Sequence, residues 1–261
     1  MLAVANKFQD QPIAFVAVNS GNDRKAVQSY VRKHKITIPM LVDVDRSFES
    51  SLGQNEISLS NIWQVKIMKP DGQIERASVD DMEGAAKAAL VGAEWHVSPK
   101  GTPKELQDAW RNIEFGNYKA GAKDVGEGLK SNKEQVASAA KRLNDYVQSA
   151  ITERVVAADE AIAEGDKFTG FERYTAIEEN FKGYVFPDGF DDKLASIKED
   201  PVVKDEISAL KRYKTAERAF YSRSPLGKKK ARQILKVLIE KSPDTRGGRE
   251  AAKALEQIGA K

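Results

Sequence analysis

Ile13-Ala14-Phe15-Val16-Ala17-Val18, running into Asn19-Ser20-Gly21, is the stretch on which the fold turns. The run is too short for an ordinary helix and shows no 3.6-residue period, so it predicts a strand buried on both faces and closed by a turn. The next segment has helical spacing, with Asp23 as its cap and Ala26, Val27, Tyr30 and Val31 on its apolar face. Residues 36–42 predict a second strand, which Pro39 places near an edge. Residues 47–52 predict a turn or two of helix, and 62–68 a third strand. Lys69-Pro70-Asp71-Gly72 is a turn signal, so 73–78 is the returning arm of a hairpin. An alanine-rich helix over 81–91 completes an α/β domain assigned to residues 1–98.

Beyond Pro99 and Pro103 the strand signal vanishes. Residues 104–115 place Leu106, Ala109, Trp110 and Ile113 on one helical face. Gly116-Asn117 ends that helix and Tyr118 opens the next. A long helix is predicted over 133–164, followed by helices over 168–181, 202–221, 228–241 and 246–258, with 186–189 a loop. Gly116-Asn117-Tyr118 and Gly165-Asp166-Lys167-Phe168 form a weak internal echo 49 residues apart. That period is longer than the tetratricopeptide repeat, whose full signature is missing. Residues 99–261 therefore read as an all-α, tetratricopeptide-like domain of helical hairpins without a strict repeat.

Of the 261 residues, 41% are apolar and 31% charged, a globular composition. No run is long enough for a transmembrane segment. The opening residues do not read as a secretory signal, because Asn6 and Lys7 interrupt the apolar start. The chain has no cysteine, which excludes disulfides, thiolate metal sites and thiol chemistry by this chain. Only His34 and His96 are present, too few for a multi-histidine metal site. The net charge of +3 hides an asymmetry. Residues 101–210 carry 15 basic and 22 acidic side chains, and residues 211–261 carry 15 and 5. The basic end either meets an anionic partner or lies against the acidic middle.

Phe15-Val16-Ala17-Val18-Asn19, the charged helix after Asp23, Ile38-Pro39-Met40-Leu41-Val42-Asp43 and Val65-Lys66-Ile67-Met68-Lys69-Pro70-Asp71-Gly72 together resemble the thioredoxin-like superfamily, in particular redoxins of the TlpA/ResA type. The resemblance covers residues 1 to about 95. The helical half is similar to C-terminal extensions of some bacterial redoxins, with Lys241-Ser242-Pro243-Asp244-Thr245 as an interhelix loop. The family implies a central strand and a C-x-x-C motif ahead of the first helix, and here Met1 falls inside that helix. It also implies a cis-proline before the hairpin strand, where this sequence has Trp63 within Asn61-Ile62-Trp63-Gln64. A cis bond is costly before a residue other than proline, so the cis turn is expected to be lost. The absent strand would lie between those matching 13–18 and 62–68. Three outcomes are open: the flanking strands pair directly, other chain covers their edges, or the protein begins upstream of this methionine.

The expected function is that of a thioredoxin-fold protein without redox cysteines. It is either a non-catalytic protein-interaction module or the remainder of a redoxin whose active motif lies upstream. A working thiol–disulfide oxidoreductase with a misassigned start is one alternative; a scaffold binding an anionic partner through the basic C-terminal helices is the other. No catalytic, metal or cofactor-binding residue is assigned, and no cofactor is expected. Asn61, Trp63 and Gln64 are the candidate partner-binding residues, with Trp63 either gripping a peptide or plugging the space left by the strand. A protein or peptide partner is expected and nucleic acid is not. The resemblance implies a periplasmic or membrane-tethered location if an N-terminal extension exists. His34 reads as solvated, His96 as packed at the domain boundary, Asp43 and Asp45 as turn or cap residues. Phe168, Phe171, Tyr174, Phe181, Tyr184, Phe186 and Phe190 read as core between hairpins. Lys228-Lys229-Lys230 with Arg232 and Lys236 reads as the solvated side of a helix whose other face is buried.

Overall fold

The structure, a computed structural model, describes residues 2–20, 24–44, 46–52, 64–221 and 224–259. The chain divides into two compact units, Met1–Ser98 and Pro99–Lys261.

In the first unit a short helix, α1 (Leu2–Lys7), precedes strand β1 (Ala17–Ser20), helix α2 (Arg24–Lys33), strand β2 (Met40–Asp43) and helix α3 (Ser47–Ser51). β1 and β2 pair in parallel, Ala17 opposite Met40 and Ser20 opposite Asp43. Strands β3 (Val65–Met68) and β4 (Ile74–Ala77) form an antiparallel hairpin, and α4 (Met82–Ala89) follows. The hairpin turns as its sequence dictates. Pro70 sits second in a turn closed by the Gly72 N–H on the Lys69 carbonyl (2.9 Å), and Gly72 takes the left-handed conformation at φ 82°. Asp81 caps α4 by accepting the Gly84 N–H at 2.8 Å.

Two expectations change here. The apolar run 13–18 is not a doubly buried strand: the ladder covers only Ala17–Ser20, and Val16 and Val18 are exposed. A strand is buried on both faces only when helices cover both, and among the described residues Val16 and Val18 are without that cover. The strands β1 and β3 do not pair with one another either, because the described strands form two separate two-stranded sheets. On α2 only Val27 is buried. Tyr30, expected on the apolar face, is exposed with its ring 4.3 Å from that of His34.

The second unit is all helix. A 3-10 turn (Lys104–Leu106) leads into α5 (Gln107–Glu114), then α6 (Tyr118–Leu129), the 30-residue α7 (Glu134–Ala163) and α8 (Lys167–Asn180). α9 (Phe190–Glu199), α10 (Pro201–Tyr221), α11 (Pro225–Lys241) and α12 (Arg246–Gly259) complete it. α6 and α8 both pack on α7, whose buried residues recur at helical spacing from Val136 to Ala161. The 49-residue echo is a structural one. At the first turn the N–H groups of Gly116 and Asn117 donate to the carbonyls of Ile113 and Asn112. At the second, Gly165 and Asp166 donate to Ile162 and Ala161. Both are left-handed glycine C-caps of the same kind. The close contacts repeat too: Gly121 lies against Ala109 and Ile113, and Gly170 against Ala158 and Ile162. A small residue at each crossing lets paired helices approach closely. The last three helices share a core of Ala209, Ala216, Ala231, Leu235, Leu238 and Ala251.

Seven of the thirty-five buried apolar side chains belong to the first unit, against eleven of the seventeen large exposed ones, counted among the described residues. The helical unit is the better-packed body, and the α/β unit leaves apolar surface uncovered.

Candidate interaction surface

The uncovered surface centres on β1. The Ala17 N–H donates to the Pro39 carbonyl at 2.9 Å, so the peptide groups of Ala17 and Asn19 face β2. Peptide orientation alternates along a strand, which turns the N–H and C=O of Val18 to the opposite edge. Among the described residues no strand pairs there. The same alternation turns Val16 and Val18 to one face of the sheet, beside Leu41, the register partner of Val18. These three are 52%, 41% and 39% exposed, while Ala17, Asn19, Met40 and Val42 on the other face are half-buried. The hairpin repeats the pattern. Lys69 N–H bonds the Gln73 carbonyl, so the peptide groups of Lys66 and Met68 face away from β4, and Met68 is exposed.

At the C-terminal end of the parallel pair the chain carries buried polar atoms. Asp43 is buried and uses both carboxylate oxygens on α3, accepting from Phe48 N–H (3.2 Å) and Glu49 N–H (2.8 Å). It is a helix cap, set by the left-handed Arg46 at φ 60° in the connecting turn. Asp45 lies outside the described residues. Lys66 Nζ donates to the Leu52 carbonyl at 2.7 Å, a cation at the C-terminal end of α3. The side-chain oxygens of Asn19 and Ser20 are buried with no hydrogen-bond partner among the described residues.

Of the three sequence-derived partner residues, Asn61 and Trp63 lie outside the described residues; Gln64 is exposed and leads directly into β3. The cis-turn position falls outside them as well. His34 is exposed beside Tyr30, and His96 is exposed rather than packed away, short of the Pro99 boundary. Among the described residues no group of three or more His, Asp or Glu could hold a metal ion. The hairpin turn (Lys69, Pro70, Asp71), Ala88 in the last turn of α4 and Val91 and Gly92 just beyond it line an open groove without a cluster of titratable groups.

In the helical unit most of the aromatic set is core, while Phe171, Tyr184 and Phe186 are half-buried. Phe168, Tyr174, Phe181 and Phe190 are buried; Tyr118 stacks on Phe181 at 4.4 Å and Phe186 on Phe190 at 4.4 Å. Tyr174 donates to Asp159 (2.6 Å), which also pairs with Lys193 (2.5 Å). Burial, then that carboxylate, raises the Tyr174 phenol above its ordinary range; burial alone raises Tyr184. Tyr146 is pushed up to about 12 by burial and then by Tyr118 beside it. For each of the three, burial is the largest cause.

No helix among the described residues is long and apolar enough to cross a membrane. No protein-family model, curated protein or solved structure matches the chain.

Proposed function

We propose that this protein is a non-catalytic interaction module: a thioredoxin-like α/β unit followed by tetratricopeptide-like helical hairpins. Its partner contributes an extended segment that pairs with β1. The observation that carries the reading is the edge at Val18, which no strand among the described residues pairs, flanked by exposed Val16, Val18 and Leu41. An added strand would satisfy the outward peptide groups, and its side chains would cover the apolar face. The βαβ-plus-hairpin order of the first unit supports the thioredoxin-like assignment. So does the placement, among the described residues, of the open edges on β1 and β3, the two strands that would flank the family's central one. Gln64, just ahead of β3, belongs to the same proposed contact, and Asn61 and Trp63, outside the described residues, remain its sequence candidates. With no cysteine, the module binds without thiol exchange.

A phage-displayed library of random decapeptides, panned on the full chain, tests this. The expected ligands are extended sequences of alternating β-branched residues, binding at least tenfold more weakly to Val18→Pro. Proline is tolerated where a strand's N–H points to an edge, but it removes the donor an added strand needs. Failure to enrich such peptides, or peptides indifferent to Val18→Pro, would overturn the reading.

A further inference from the structure

Helix α11 begins with Ser224 as its cap and Pro225 at its first position, and no acid occupies its first turn. Lys228, Lys229 and Lys230 follow instead, at the end of the first turn and the start of the second, all exposed. Lys228 closes the first turn, where the helix dipole already concentrates positive charge. Lys228, Arg232 and Lys236 recur every four residues, forming one stripe of like charge about 12 Å long. Both placements work against the helix, so helix stability does not explain them. Nor do they answer the acidic middle of the unit. Arg246 reaches it, through Glu172 at 2.7 Å, but among the described residues no carboxylate pairs with Lys228, Lys229, Lys230, Arg232 or Lys236. Lys228 instead lies over the Phe220 ring, 5.9 Å from its centroid.

Beside the lysines, in the first turn, Leu226 is 76% exposed. An isolated leucine among cations fits a layered partner, charged outside and apolar just beneath. Nucleic acid offers the charge without that layer, and α11 has no aromatic ring to stack on bases. We propose that the start of α11 docks on an anionic lipid surface, with Lys228, Lys229, Lys230 and Arg232 over the headgroups and Leu226 inserted among the acyl chains. This surface is independent of the β1 edge.

The test is flotation of the full chain with phosphatidylcholine vesicles, with and without 30 mol% phosphatidylserine, at low and high salt. Binding is expected only to the anionic vesicles and is lost at high salt. At roughly fivefold per cation, Lys228→Gln with Lys229→Gln and Lys230→Gln weakens binding about a hundredfold. Leu226→Ser weakens it several-fold with the charges intact. The triple variant unfolds at the same or a higher temperature than the wild type, because it relieves like-charge crowding. Arg232→Gln, a single exposed change, gives the same direction of effect on binding. Equal flotation with neutral vesicles, binding unmoved by these variants, tighter binding to duplex DNA than to the anionic vesicles, or a triple variant that melts earlier would each overturn the proposal.

Discussion

Gly170→Ala sets two opposed terms against each other. Alanine is the better helix former by about 1 kcal/mol, and in open space it stabilises. At Gly170, however, an added Cβ would fall 2.3 Å from Ile162 Cγ1 and 3.2 Å from the Ala158 carbonyl oxygen. Ile162 is β-branched on a helix, where one side-chain rotamer dominates, so it cannot swing away cheaply. The oxygen is backbone and moves only with α7. Overpacking of this kind costs about 1–3 kcal/mol, so after the propensity gain the net destabilisation is about 0–2 kcal/mol. Gly126, also helical, has nothing within 4 Å of a built Cβ, so Gly126→Ala gains about 0.5–1 kcal/mol. The two variants should differ by about 2 kcal/mol, or about 4–8 °C in melting temperature for a unit of this size. Thermal and urea unfolding of the full chain, followed by circular dichroism at 222 nm, reads the difference. Gly121→Ala, whose Cβ would lie 3.1 Å from both the Ala109 oxygen and Ile113 Cγ1, should fall between them. A Gly170→Ala protein as stable as Gly126→Ala would refute the close α7–α8 crossing.

Removing the α8 cap with Asp166→Ala should cost about 1 kcal/mol. The Asp166 carboxyl is held below its usual range by the Thr169 N–H and hydroxyl, with Arg246 nearby. Its contribution is therefore complete above about pH 4 and is lost as pH falls through the lower folded-state value, a slope the Ala variant should lack. Glu206 accepts the Arg246 N–H through both carboxylate oxygens, at 3.1 and 2.8 Å, at the start of α12. Glu206→Ala should lower the unfolding midpoint by an amount worth about 1 kcal/mol, with little change in the urea slope. Of the seven tyrosines, Tyr146, Tyr174 and Tyr184 should ionise last in an absorbance titration at 295 nm. Their folded values are raised, so their stabilisation is full below about pH 10 and is lost as pH climbs through those values. Ionisation of all seven together, before the helical unit melts, would contradict the buried placement.

The helical half is the more legible because its signals are local. Leu106, Ala109, Trp110 and Ile113 share a face by spacing alone, and all four are buried. Gly116 and Gly165 end their helices for reasons contained within a few residues. α9 was hidden behind the loop at 186–189, since a short, polar helix carries little periodicity. Phe190, Leu194 and Ile197, spaced i, i+4, i+7, were the available signal. In the first unit the apolar run at 13–18 records a tendency to be buried, while burial itself depends on which partner lies alongside. Val16 and Val18 are exposed because the described residues supply only β2. Tyr30 has helical spacing on α2 but is exposed, with no facing element among the described residues to receive it. The Asp43 cap follows from its place at a strand end. The tie from Arg246 to Glu172 spans 74 residues and has no local trace.

The β1 edge is tested most directly by amide hydrogen exchange, read residue by residue by NMR, on the full chain with and without a selected β-forming peptide. The account predicts that the Val18 amide exchanges faster than that of Asn19, which faces β2, and becomes protected when the peptide is added. A Val18 amide already as protected as Asn19 in the free protein, or one left unprotected by a bound peptide, would contradict it.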